Sequence, residues 1–296
     1  MLKIRNYRVR FNPIIRRKDM KASRFVPRLL LASSLSLISG GVFAQAQPAN
    51  EEYKPQVGQK GKDVIWIPTP QALVDKMLDM AKVMPQDYVI DLGSGDGRMV
   101  ITAAKRGARA LGIEYNPDLV ELSKRNAANE GVGENARFVK ADLFESDFSQ
   151  ATVLAIFLLP EMLLKLRPKI LDMKPGTRIV ANSYTMGEWH ADDTATVTAG
   201  CTDWCTAYLW IVPAKVAGSW KLPQGDLVLK QEFQMISGSL NGGGKNIVVT
   251  NGKMRGDQIS FSAGAAQYTG RVNGNSMEGT VKGGSAGNWT ATRAGK

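Results

Sequence analysis

Two changes of pattern along the 296-residue chain predict a doubly wound α/β domain followed by a small all-β domain. From Val64 to about Pro213, short β-type runs alternate with amphipathic helical segments, as in a parallel sheet covered by helices on both faces. From Ala217 onward the helical periodicity stops, and short alternating runs are separated by Asn- and Gly-rich turns. A third observation fixes the first domain's character: the run Tyr88 to Leu92 empties into Gly93-Ser94-Gly95-Asp96-Gly97, and a helical segment follows. A glycine turn between strand and helix lets a ligand approach backbone, which marks the sheet as Rossmann-like.

Helices are predicted over 71–83, 98–106, 117–129 and 161–171. In the first, Leu73, Val74, Met77, Leu78 and Ala81 share one face at helical spacing. Strands are predicted over 88–92, 110–114, 136–140, 152–158 and 177–181. Two further runs, 195–198 and 207–212, flank a cysteine turn and read as an antiparallel hairpin at the sheet edge. In the second domain, strands are predicted over 227–233, 247–250, 258–261, 267–272 and 276–281. Asn241 to Gly244 and Asn251-Gly252 are read as its turns. A weak repeat aligns the segment from Gly252 to Ile259 with that from Gly270 to Met277, which suits successive hairpins of one meander, a barrel or a curled sheet.

Composition is globular, at 44% hydrophobic and 22% charged. The net charge of +11 is misleading, because residues 1–46 hold ten Lys/Arg against one acid, Asp19, and so carry +9 of it. The remaining +2 divides into about −3 for 47–216 and +5 for the segment from Ala217. A body so weakly charged is not a nucleic-acid binder. The leader has the order of a secretory signal over 20–46, with Met20 read as its start. Arg24 and Arg28 precede the apolar run from Leu29 to Ile38, and Val42-Phe43-Ala44-Gln45-Ala46 supplies small residues for cleavage after Ala44 or Ala46. Export to the periplasm is therefore expected, with 47–63 as a polar linker, 64–214 as the α/β domain and 217–296 as the β domain.

Cys201 and Cys205 are the only cysteines, four residues apart. In an oxidising compartment they are expected to form a disulfide. A metal is not expected, since His190 is the sole histidine and the two cysteines cannot complete a tetrahedral site.

The glycine loop departs from the dinucleotide fingerprint, because Arg98 stands where the third glycine belongs. Asp91, two residues before Gly93, is ill placed beside a pyrophosphate but suits a ligand with a positive amine. S-adenosylmethionine carries an ammonium and a sulfonium and no phosphate. Glu114 ends the second strand, where a carboxylate takes ribose hydroxyls. Asp142 follows the third strand, within reach of an adenine amine. Each acid alone has a humbler use as a cap or turn residue; their placement after three successive strands points to one cofactor.

The runs Ile67 to Pro70, Asp91 to Ala104, Gly112 to Pro117, Asp142-Leu143 and Phe157 to Pro160, with Trp189, resemble class I methyltransferases. Among these they are similar to the small protein-lysine methyltransferases that modify ATP synthase and the adenine nucleotide translocase. The resemblance covers about 64–212. It implies that Asp91, Gly93 and Gly95 hold the methionine portion, with Glu114 at the ribose and Asp142 at the adenine. Ser94, Asp96 and Gly97 of the same loop are counted with the cofactor-binding residues, and Tyr115 is placed either to lie against adenine or to be core. The resemblance also implies that Thr69 and Pro70 close over the cofactor and that Phe157, Leu158, Leu159 and Pro160 border the acceptor. Tyr184 and Trp189 could add apolar walls that favour a neutral amine. No residue demands the role of general base.

Three functions stay open at this point: methyl transfer to a protein lysine or small amine, aminopropyl transfer, and an exported module that binds a ligand without turnover. The chain is read as a monomer. The β domain is expected to contact a surface or partner and to take no part in the transfer, so a chain ending near Lys215 should still fold and bind the cofactor.

Overall fold

The structure, a computed structural model, describes residues 53–284 and 286–295. The leader and its cleavage site lie outside the described residues.

The first domain begins with α1 (Gln71–Met80), followed by β1 (Tyr88–Leu92), α2 (Arg98–Lys105), β2 (Arg109–Glu114), α3 (Pro117–Asn129) and β3 (Ala136–Lys140). The chain continues through β4 (Val153–Ile156), α4 (Pro160–Leu171), β5 (Arg178–Asn182), β6 (Asp193–Thr196) and β7 (Thr206–Ile211). These strands form one seven-stranded sheet in the order β3-β2-β1-β4-β5-β7-β6. Strand β7 alone runs against its neighbours, pairing antiparallel with both β5 and β6. Strand order reverses between β1 and β4, the topological switch point where such sheets bind ligands.

Alternate residues of each central strand feed two separate cores. Val89, Ala110, Val153, Ala155, Val180 and Leu209 pack under α1, α2 and α3. Ile90, Leu92, Leu154, Ile156, Ile179 and Trp210 pack against α4. Burial on both faces explains why these strands read as continuous apolar runs. Helix α3 starts where the sequence signals it: the Asn116 side chain accepts a hydrogen bond from the Asp118 amide at 2.9 Å, and Pro117 occupies the first turn.

The second domain is a closed barrel of eight antiparallel strands: β8 (Gly218–Leu222), β9 (Gly225–Glu232), β10 (Met235–Gly242), β11 (Lys245–Arg255), β12 (Gln258–Ala263), β13 (Ala266–Asn273), β14 (Ser276–Lys282) and β15 (Gly287–Arg293). Strand β15 pairs back onto β8, so no edge is left open. The internal repeat marks two equivalent hairpins, β11–β12 and β13–β14. Their turns begin at Gly256 and Gly274, both at positive φ, and Met254, Ile259, Val272 and Met277 all point inward. Phe261, Tyr268 and Trp289 fill the barrel as mutually stacked and edge-to-face rings.

Two sequence expectations need correction here. Strands β8, β10 and β15 are absent from the sequence reading because each contains Gly beside Ser or Asn (Gly218-Ser219, Ser237-Gly238-Ser239, Gly287-Asn288), which reads as turn. Asn251-Gly252 is not a hairpin turn but a bulge within β11, where the pairing register with β12 shifts. Asn251 takes the left-handed conformation there, and a Cβ on Gly252 would lie 2.3 Å from the Ile236 carbonyl oxygen.

The barrel is seated on the α/β domain through the β9–β10 turn. Phe233 stacks on Trp189 with ring centres 6.1 Å apart and planes within 11°. Beside it the Gln234 amide donates to the His190 carbonyl at 2.7 Å. Arg293 clamps the connecting segment by donating to the carbonyls of Lys215 and Ala217, each at 2.7 Å.

Candidate active site

The site forms along the edge where the parallel strands end. The turn after β1 folds as it does because Gly93, Gly95 and Gly97 all take positive φ. It is anchored from behind: the Ser123 hydroxyl donates to the Gly95 carbonyl at 2.9 Å, and the Asn126 amide donates to the Asp96 carbonyl at 3.0 Å. Asp96 itself is spoken for, pairing with Arg98 at 2.6 Å, and Arg98 donates onward to the Thr69 carbonyl at 2.9 Å. The Thr69 hydroxyl in turn accepts from the buried Asn182 amide at 3.3 Å.

Two adjoining cavities result, sharing Trp66, Ile67, Gly93 and Phe157 in their walls. The larger is lined by Glu114, Tyr115, Asn116, Asp142, Leu143 and Leu158 among others. The smaller is lined by Thr69, Asp91, Ser94, Gly95 and Asp96.

Asp91 is 7% exposed, and no hydrogen bond from the described residues reaches its carboxyl. Burial, with the Glu114 and Asp96 charges adding to it, pushes this carboxyl up to about 8. The Ser94 hydroxyl is likewise buried and has no hydrogen-bond partner among the described residues, but it lies against the backbone of β2, where a Cβ on Gly112 would meet it at 2.4 Å. A buried acid without a partner, lining the smaller cavity, calls for a ligand that brings donors. Glu114 is better satisfied: one oxygen accepts from the Gly95 amide and the other from the Asn116 amide, each at 2.9 Å. Asp142 accepts from the Phe144 amide at 2.9 Å and pairs with Lys62, which holds its carboxyl below the usual range.

Lys62 is a residue that sequence reading missed. Composition suggests only a linker before Val64, yet the segment folds back on itself, with Trp66 donating to the Gln59 carbonyl at 2.8 Å. Gln59, Lys62 and Trp66 thereby line the larger cavity, and the Lys62 ammonium sits 5.0 Å from the centre of the Tyr115 ring. Tyr115 is 48% exposed, so its ring is not core.

Other candidates stand elsewhere than the sequence suggests. Pro70 caps α1, and its carbonyl accepts from the Leu73 and Val74 amides instead of facing the cavities. Gly97 caps α2, where a Cβ would meet Phe138 and Ser123 at 2.9 Å. Leu159 and Pro160 open α4, and neither lines a cavity. Trp189 is fully buried between Trp210 and the barrel's Phe233, so it is a packing residue and no acceptor wall. Phe157 and Tyr184 do meet, stacked at 6.4 Å. Cys201 and Cys205 are bonded to each other.

The strand order and the acids at the ends of β1 and β2 and just after β3 define a class I S-adenosylmethionine-dependent methyltransferase. Comparison with known proteins agrees. The ANTKMT methyltransferase domain matches residues 91–193. The chain is 39% identical over 152 residues to a protein-lysine N-methyltransferase of Saccharolobus islandicus, a span of 50% of this chain and 94% of that one. It is 35% identical over 128 residues to a human lysine N-methyltransferase named for ATP synthase, covering 43% of this chain and 54% of that protein. A solved RNA methyltransferase from Salinibacter ruber, in complex with S-adenosyl-L-homocysteine, is 43% identical with a TM-score of 0.48, covering 51% of this chain and 96% of that one. The chain belongs to this methyltransferase family, and its cofactor is S-adenosylmethionine.

Proposed function

We propose that the protein transfers a methyl group to the side-chain amine of a protein lysine. The observation that carries the cofactor half of the site is Asp91: a buried carboxyl without a partner at the switch point fits the cofactor's ammonium. Glu114 fits the ribose with its remaining lone pairs, and Asp142 with Tyr115 frames the adenine. The acceptor half is supported by the lysine activity named for the relatives and by the aromatic edge at Phe157 and Tyr184. The mean charge of the α/β body, slightly negative, also suits a basic acceptor.

When bound, S-adenosylmethionine supplies a methyl on a sulfonium sulfur, and the C–S bond breaks as the acceptor nitrogen's lone pair attacks, its electrons staying on sulfur. The residues of the chain contribute position and exclusion of water. Trp66 and Thr69 roof the glycine loop, and Phe157 stands where the two cavities meet. The proton the amine gives up goes to water, so no side chain is asked to act as a base.

We also read the enzyme as exported: the leader has the form of a signal peptide, and the Cys201–Cys205 bond fits an oxidising compartment. Intact mass of protein from its native host is the check, with a mature N-terminus at Gln45 or Gln47 expected.

Incubation of the full-length protein with isotopically labelled S-adenosylmethionine and its host's extract tests the substrate class. Label recovered on lysine in acid hydrolysates of protein is the expected result. Label confined to RNA or to small amines overturns the lysine assignment while sparing the cofactor assignment.

A further inference from the structure

The acceptor side of the sheet carries a residue that neither the fold nor the family match accounts for. Strands β4, β5 and β7 are neighbours, and each presents an aromatic ring at the edge that holds the cofactor cavities. Phe157 follows β4, Tyr184 follows β5 and Trp204 precedes the antiparallel β7. Phe157 lies between the other two, 6.4 Å from each ring centre, at 24° to Tyr184 and 56° to Trp204. Phe157 also lines both cavities, so the trio continues the cofactor site outward.

Trp204 is held there against its own preferences. It is 41% exposed, which is high for a large apolar side chain. Its backbone takes φ +53, a conformation that costs a bulky residue energy unless its surroundings impose it. The imposing element is covalent: Cys201 and Cys205 close a five-residue ring around Thr202, Asp203 and Trp204. The base of that ring is tied to the sheet, since Val197 donates to the Cys205 carbonyl at 2.9 Å and Ser183 donates to the Thr206 carbonyl at 2.8 Å. Ser183 is itself at φ +61, the kink that turns Tyr184 toward Phe157.

Three rings, Phe157 stacked with Tyr184 and tilted against the exposed Trp204, reach outward from a methyl-donor site and form a receptor for an alkylammonium group on an aliphatic stem. Ring faces attract such cations, and their edges pack against methylenes. We infer that Trp204, positioned by the Cys201–Cys205 disulfide, binds the acceptor's amine-bearing side chain together with Phe157 and Tyr184, so that acceptor affinity is set by the oxidation state of the disulfide. This rests on the amine-acceptor reading above. Reduction takes two electrons and two protons from a dithiol, converts the bond to two thiols and leaves the dithiol as its own disulfide. The ring then opens, and Trp204 is free to leave φ +53.

The test uses full-length protein and a probe that needs no turnover, Nε-trimethyl-lysine methyl ester, titrated calorimetrically in the presence of S-adenosylhomocysteine. Oxidised wild type is expected to bind the probe. Reduction with dithiothreitol, the Cys201→Ser/Cys205→Ser variant and Trp204→Ala should each weaken it about two- to fivefold, the size of an exposed cation–π contact. Trp204→Phe should recover most of the loss, and reduction should add nothing to Trp204→Ala. S-adenosylhomocysteine affinity should stay constant throughout. Probe affinity that ignores both reduction and Trp204→Ala, or wild type that binds S-adenosylhomocysteine but not the probe, overturns the inference. Protein that holds the probe through Trp204 yet methylates no lysine refutes the lysine reading and leaves this site standing.

Discussion

A Cβ on Gly95 would lie 2.7 Å from the indole nitrogen of Trp66. The glycine loop is therefore shaped as much by the residue that roofs it as by the ligand it serves. Since Gly95 also sits at φ +55, alanine there meets two penalties, a steric one and a backbone one. Gly95→Ala is expected to lose about 1–3 kcal/mol of stability and at least about tenfold in S-adenosylmethionine affinity. Adding Trp66→Ala should return part of the stability, because only the steric penalty is relieved. Urea denaturation of both variants decides the matter; equal stability of the single and double variants would show that Trp66 does not press on the loop.

Cofactor binding should strengthen as pH rises. With its carboxyl raised to about 8, Asp91 is protonated in the free enzyme at neutral pH, whereas an ammonium ligand favours the ionised form. Affinity is expected to climb from about pH 6 to pH 8, by up to about tenfold per pH unit, and to level off above. Below pH 8 each binding event should release a proton. Calorimetry in two buffers of different ionisation enthalpy measures that proton, and a flat pH profile with no proton release would falsify the assignment of Asp91 to the ammonium.

The same group sets a conflict between stability and function. Its folded value lies above its ordinary 3.8, so the free protein loses stability as pH rises between those two values. Asp91→Asn removes the ionisable group while keeping its shape. Near pH 7.5 the variant should be about 1–3 kcal/mol more stable than the parent without cofactor, and near pH 4 the two should match. It should also bind S-adenosylmethionine about 1–3 kcal/mol more weakly. Thermal melts at the two pH values test the first part; a variant less stable at pH 7.5 would contradict it.

Removing the barrel's foothold should cost stability without touching the cofactor site. Phe233 covers Trp189 and lies 5.3 Å from the Arg167 guanidinium, and no described residue beyond Pro213 lines either cofactor cavity. Phe233→Ala is expected to lose about 2–4 kcal/mol, the usual range for deleting a packed ring. A chain ending at Lys215 should melt at a lower temperature still, yet keep its S-adenosylmethionine affinity. Truncated protein that is folded but binds no cofactor would show that the barrel supports the site.

Much of the site is readable in sequence because its chemistry is local. Asp91, Ser94 and Glu114 each sit at or just beyond the end of a strand whose apolar run announces it. Lys62 and Trp66 are not readable in this way. They reach the cavities through a short fold-back in a polar stretch, and nothing in its composition separates such a segment from a tether. Trp189 misleads for the opposite reason. An aromatic residue near a predicted acceptor edge looks like a wall until the tertiary fold brings Phe233 over it from another domain. In the barrel the internal repeat is legible because turn and inward residues recur together. Strands β8, β10 and β15 are not, since Gly beside Ser or Asn in each of them reads as turn although the chain is extended there.

The pairing of Trp189 with Phe233 also has a meaning for the newborn chain. Synthesis delivers every strand of the sheet before the turn that carries Phe233, so an indole face stays bare until the barrel has begun to emerge. A polypeptide cut short by a nonsense codon or a nick after β7 would keep that sticky patch permanently. Chaperones and proteases recognise such patches, which makes the buried tryptophan a built-in check on the barrel: it disappears from view only in molecules that have made it.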